Sequence, residues 1–111
     1  MGRYITTTGT AGNTLREGVT ANFNATVNDR ILASSAGGSF TITLPVNSSL
    51  LVNDTIQIID VGGATSTNPI TIARNSSLIQ GIADDLYMDL NGSIITLIYT
   101  GVTYGWIVSS T

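Results

Sequence analysis

Cysteine, histidine and lysine are all missing from this chain of 111 residues. Without cysteine there is no disulfide and no thiolate for metal or redox chemistry. Acid–base work near neutral pH draws on histidine, or on a lysine or carboxylate with a shifted pKa. Of these only carboxylates are present. A serine nucleophile would lack a histidine base, and no Gly-x-Ser-x-Gly elbow occurs. Glycine pairs at Gly37-Gly38 and Gly62-Gly63 come without a phosphate-loop lysine or a Gly-x-Gly-x-x-Gly pattern, so they read as hairpin punctuation. The sequence predicts no enzyme, no cofactor and no obligatory metal.

Charge is scarce as well. Asp, Glu, Lys and Arg together make up 10% of the chain, against about a quarter in an ordinary globular domain. The cations are Arg3, Arg16, Arg30 and Arg74, against seven carboxylates, for a net charge of −3. That balance argues against a nucleic-acid partner, which would want a basic face. Long apolar runs are absent too: Ile94-Ile95 and Leu97–Tyr99 are separated by Thr96, far short of the roughly 20 residues of a membrane-spanning helix. The opening residues lack the apolar core of a signal peptide, which predicts a protein made in the cytoplasm without N-terminal export.

In place of charge the chain carries 17 Thr, 11 Ser and 9 Asn, a third of its residues. Such a surface hydrogen-bonds without strong mutual repulsion, so copies associate easily. Five Asn-x-Ser/Thr sequons, at Asn24, Asn47, Asn53, Asn75 and Asn91, follow from this composition and predict no glycan in a chain that is not exported.

Period-two alternation dominates. Phe40, Ile42 and Leu44 share one face of residues 39–45 and Ser39, Thr41 and Thr43 the other, a half-buried strand ended by Pro45. Residues 55–60 and 69–74 repeat the pattern, with shorter candidates at 78–82 and 86–90. Residues 93–100 differ, because Ile94 and Ile98 face one way and Ile95, Leu97 and Tyr99 the other. A strand apolar on both sides needs cover on both sides, either as a central core strand or at a subunit interface. The Asn91-Gly92 pair predicts a hairpin before it, and Tyr104, Trp106 and Val108 share a face after it. One short helical turn fits within residues 47–53. Strands recurring with turn signals between them predict a single antiparallel β-sandwich or jelly-roll-like domain.

Residues 1–21 read as an extended N-terminal arm, and residues 22–111 as the sandwich. From Thr6 to Asn13 no apolar residue is larger than alanine, so this stretch cannot anchor itself in its own core. Phe23, Val27, Ile31 and Leu32 are the first plausible core contacts.

Two side-chain groups hold alternatives. Asp84, Asp85 and Asp89 are either a hard-cation site or a solvated acidic loop. Trp106, Tyr99 and Tyr104 are either a sugar-stacking platform or core and interface residues. Asp54 and Asp60 flank a strand and read as turn-capping carboxylates.

The strand order carries a resemblance. Residues 39–45, Val52-Asn53-Asp54 leading into Ile56–Asp60 and Gly62-Gly63, Asn68-Pro69-Ile70-Thr71-Ile72, Ile79-Gln80-Gly81, then 97–101 and Gly105-Trp106-Ile107 resemble a module of tailed-phage structural proteins, found in capsid decoration (cement) proteins and tail-fibre segments. The resemblance spans about residues 30 to 108. The opening Gly2-Arg3-Tyr4-Ile5-Thr6-Thr7 is similar to the start of small virion proteins of cyanobacterial phages. A decoration protein is implied more than a fibre, since the module fills nearly the whole chain. The resemblance implies a homotrimer on the outer head surface, bound to the major capsid protein and stabilising the shell. The arm, through Arg3, Tyr4, Ile5 and Arg16, is the expected capsid contact. Residues Ile94, Ile95, Leu97, Ile98 and Tyr99 are the expected subunit interface. A tail-fibre or baseplate module binding a host-surface glycan is the alternative.

Overall fold

A computed structural model describes residues 13–110. They form nine strands: β1 (Thr14–Val19), β2 (Phe23–Asn24), β3 (Asp29–Ala33), β4 (Phe40–Thr43), β5 (Thr55–Asp60), β6 (Ile70–Ala73), β7 (Leu86–Met88), β8 (Ile94–Tyr99) and β9 (Trp106–Ser110). Among the described residues a 3-10 turn at Asn47–Ser49 fills the expected place. The strands make two sheets, a five-stranded one in the order β1-β3-β5-β8-β9 and a four-stranded one in the order β2-β4-β6-β7. The chain is therefore an all-β sandwich.

Its topology differs from the antiparallel expectation. Strands β1 to β6 alternate between the sheets, and within each sheet they pair in parallel: β1 with β3, β3 with β5, β2 with β4, β4 with β6. The chain coils, giving one strand to each sheet on every pass. Antiparallel pairing begins with β7 on β6, β8 on β5 and β9 on β8. The turns explain the difference. Links containing Gly37-Gly38, Gly62-Gly63 and Asn91-Gly92 do not fold a strand back onto its own sheet. They carry the chain across to the other one, as the sheet membership of the flanking strands requires. An arch and a hairpin leave the same in–out alternation, so periodicity cannot separate them.

Burial follows the alternation. Ile31, Ile56, Ile58 and Leu97 of the five-stranded sheet are fully buried, as are Ile42, Ile70 and Ile72 of the four-stranded sheet. Stiff β-branched side chains suit this pleated interior. Phe40, Ile42 and Leu44 all point inward as their spacing predicts.

The sandwich begins earlier than residue 22. Strand β1 lies within the expected arm, yet it pairs with β3, and Val19 joins the core. Arg16 anchors it, its Nε donating to Asp29 Oδ1 at 2.9 Å. Asp29 also accepts from the Thr26 N–H at 2.7 Å, and its carboxylate is fully buried. At the other end of the fold, Gly105 has φ +71, and a Cβ there would overlap the Leu78 carbonyl. Only glycine lets the β8–β9 hairpin press against that segment, where the Trp106 N–H donates to the Leu78 carbonyl at 2.8 Å.

The parallel coil has a direct test. Leu32 and Ile59 are in-register partners on the outer face of β3 and β5. Adjacent strands lie about 4.8 Å apart, inside the Cα separation of about 4.4–6.8 Å that a disulfide needs. In a chain with no other cysteine, the double variant Leu32→Cys/Ile59→Cys is expected to lose both free thiols on mild oxidation while remaining folded. Two titratable thiols after oxidation would contradict the pairing.

Candidate functional site

The outer face of the five-stranded sheet is the feature most open to a partner. Its side chains fall into three cross-strand rows. Thr55, Ile98 and Ile107 form the first, and Leu32, Ile59 and Ile94 the third. Between them runs a polar row, Leu15–Arg30–Gln57–Thr96–Ser109, in which the Gln57 amide donates to Thr96 Oγ1 at 3.2 Å. Ile98 and Ile107 are each 39% exposed. The opposite surface, on the four-stranded sheet, presents the rows Thr41–Thr71–Tyr87 and Asn24–Thr43–Ala73 instead. One face of the sandwich is thus aliphatic in two of its rows, the other mostly hydroxyl and amide.

This division splits the expected subunit interface. Ile94 and Ile98 point outward, while Ile95, Leu97 and Tyr99 are buried against the other sheet within the same chain. The two-sided strand is real: its Ile95–Leu97–Tyr99 side is covered by the other sheet of the same chain, and its Ile94–Ile98 side faces outward. Ile59 and Ile107 also point outward, and so does Leu32, which was expected in the core but alternates with the buried Ile31 and Ala33 on β3. They join Ile94 and Ile98 only through pairings between strands distant in sequence.

The expected capsid contacts fare differently. Arg16 is held by Asp29 in the sandwich, which takes its guanidinium Nε out of service for a neighbour. Arg3, Tyr4 and Ile5 lie outside the described residues.

Trp106 is fully buried and meets Tyr99 edge to face, with ring centroids 5.4 Å apart. No sugar can stack on it, so the aromatic platform is a core pair. Tyr104 sits apart in the β8–β9 turn, 62% exposed. Asp84, Asp85 and Asp89 are all exposed. Asp85 Oδ1 accepts from the Arg74 N–H at 2.9 Å, a turn-closing role. Among the described residues no group of three acids converges as a metal would require.

Asp60 carries the strongest polar geometry. It ends β5 pointing inward and is 4% exposed. Oδ1 accepts from the Gly63 N–H at 3.0 Å. Oδ2 accepts from the Thr65 hydroxyl at 3.0 Å and from the Gly92 N–H at 2.9 Å. Burial pushes its carboxyl up, but the hydrogen bonds from Gly92, Thr65 and Gly63 together outweigh it and hold the group below the ordinary carboxylate value. Asp60 therefore ties the arch after β5 to the arch before β8. Turn capping was the sequence expectation for it, though the link to Gly92 requires the tertiary fold.

A depressed folded pKa gives stability that is present above the unfolded pKa and lost as pH falls through the folded one. Wild-type melting is expected to decline as pH drops below the ordinary carboxylate range. Asp60→Asn puts an amide NH2 where donors already point. It is expected to cost roughly 2–3 kcal/mol at neutral pH, the scale of buried donors left unpaired, and to flatten the acid limb. Unfolding by urea at several pH values measures both, and an unchanged acid limb would remove Asp60 as its source.

No family model matches this chain, and no curated protein is detectably similar to it.

Proposed function

We propose that the chain is a structural protein of a tailed-phage particle, a capsid decoration protein that sits on the outer head surface as a homotrimer and contacts the major capsid protein. The observation that carries this reading is the outer face of the five-stranded sheet, where Ile98, Ile107, Leu32, Ile59 and Ile94 flank a central row whose charged member is Arg30. A small sandwich that leaves aliphatic rows on one face gains by covering them with a second copy. The number three, the head location and the capsid partner come from the resemblance of residues 30 to 108 to virion modules. A surface poor in charge suits a protein whose neighbours are copies of itself.

The rival, a tail-fibre or baseplate module that binds a host glycan, loses its proposed stacking residue with Trp106 buried. Counting labelled copies on intact particles separates the two. Copies spread over the head support decoration, and a few confined to the tail overturn it.

Light scattering tests the assembly. The wild-type protein is expected at about three times 11.6 kDa. Ile98→Asp/Ile107→Asp places two charges in the contact and is expected to give a folded monomer, since both side chains point outward. A wild-type monomer at every concentration would remove the trimer.

A further inference from the structure

The two sheets end in four edge strands, β1 and β9 in one, β2 and β7 in the other. An edge bears N–H and C=O groups that another strand can pair with, and lysine is a common guard of such edges. This chain has no lysine. Among the described residues three edges are short or interrupted. Strand β2 has two residues and β7 has three. Strand β1 loses register between Arg16 and Val19, with Gly18 at φ +68. The remaining edge, β9, runs for five residues without a charge. Its neighbour β8 is uncharged as well. Uncharged segments rich in β-branched and aromatic residues are the kind that stack with copies of themselves.

Residues 78–82 cover the first part of the β9 edge. The Trp106 N–H donates to the Leu78 carbonyl at 2.8 Å, and the Gln80 N–H to the Trp106 carbonyl at 2.7 Å. This is the start of a parallel ladder, with Ile79 opposite Trp106. One step further along, a parallel partner would offer the Gln80 carbonyl to the Val108 N–H. The chain instead turns away at Gln80, which has φ +54. Ile79 and Ile82 close that turn, each N–H donating to the other's carbonyl at 3.0 Å. The Gln80 side chain fills the place its own backbone has left, and its Oε1 accepts from the Val108 N–H at 2.9 Å. A side-chain amide thus stands in for the main-chain carbonyl of the same residue, and the ladder ends there. The left-handed conformation strains a glutamine, and glycine would make the turn more easily. The turn alone therefore does not account for the side chain.

We infer that Gln80 is an edge guard: its side chain occupies the Val108 rung of β9 and keeps the five-stranded sheet from growing by strand pairing between copies of the chain. The role is separate from the outer-face contact proposed above. That contact uses side chains standing off the sheet, whereas the guard controls main-chain groups in its plane. It acts alike on a monomer and on a trimer. A sheet edge without charge needs such a block, since nothing repels an approaching strand.

Two substitutions at one position test it. Gln80→Gly removes the acceptor while relieving the backbone, so its urea midpoint is expected close to the wild-type value. Gln80→Glu keeps an acceptor at the same reach and is expected to behave as wild type. Deuterium exchange at the Val108 amide, followed by NMR, is expected to be roughly tenfold faster in Gln80→Gly, the effect of losing one hydrogen bond, and unchanged in Gln80→Glu. On incubation at neutral pH, light scattering is expected to show the Gln80→Gly mass growing with time. Wild type and Gln80→Glu are expected to hold a constant mass, whether that mass is one chain or three. Wild-type exchange at Val108 in Gln80→Gly would overturn the guard, because the rung would then be closed without the side chain. Fast exchange with constant mass overturns it as well. So does growth that appears equally in Gln80→Glu, or growth that only follows the unfolded fraction measured in urea.

Discussion

Every strand of the coil must bury alternate side chains against a sheet that is being built at the same time. No single sheet of this chain could stand alone, because each has one face of isoleucine that water disfavours. Ile31, Ile56 and Ile58 on one side need Ile42, Ile70 and Ile72 on the other. Passing from sheet to sheet on each turn supplies both faces together, pass by pass. The antiparallel strands β7, β8 and β9 then close the stack at its C-terminal end.

Within this arrangement several of the few charges are tied to neighbouring segments of the chain. Arg16 and Asp29 fasten β1 to β3. Asp60 joins two arches. The Arg74 side chain donates to the Ser77 carbonyl at 2.9 Å, and its N–H to Asp85. Buried or partly buried polar groups of this kind hold loops in one geometry, because leaving any of them unpaired is costly. Apart from Glu17, Arg30 and the acids Asp84, Asp85 and Asp89, what reaches the surface of the described residues is mostly hydroxyl, amide and aliphatic. A surface of that kind has little long-range repulsion, and short-range packing decides what it meets.

The same economy explains why the aliphatic exposure is uneven. The four-stranded sheet shows threonine on its outer rows, while the five-stranded sheet shows Ile94, Ile98 and Ile107. The β8–β9 hairpin carries this apolar surface on to Val102.

Much of this was legible in the residues alone. The strands at 40–43, 55–60, 70–73 and 94–99 follow from strict alternation, because a pleated strand turns successive side chains to opposite faces whatever its neighbours are. The two-sided character of Ile94 to Tyr99 was legible for the same reason. Strand β1 was not, since Thr14-Leu15-Arg16-Glu17-Gly18-Val19 has no alternating apolar face, and it is held by β3 and by Asp29. Neither was the parallel pairing, because an arch and a hairpin use the same turn residues. Nor were the outer row of Ile98 with Ile107 or the reach of Asp60 to Gly92, while for Trp106 the residues left core and sugar platform both open and the fold decided for the core. Local pattern determined which side of each strand is apolar. Only the tertiary structure decided which of those sides meets the chain itself and which is left for a partner, because that depends on contacts between residues far apart in sequence.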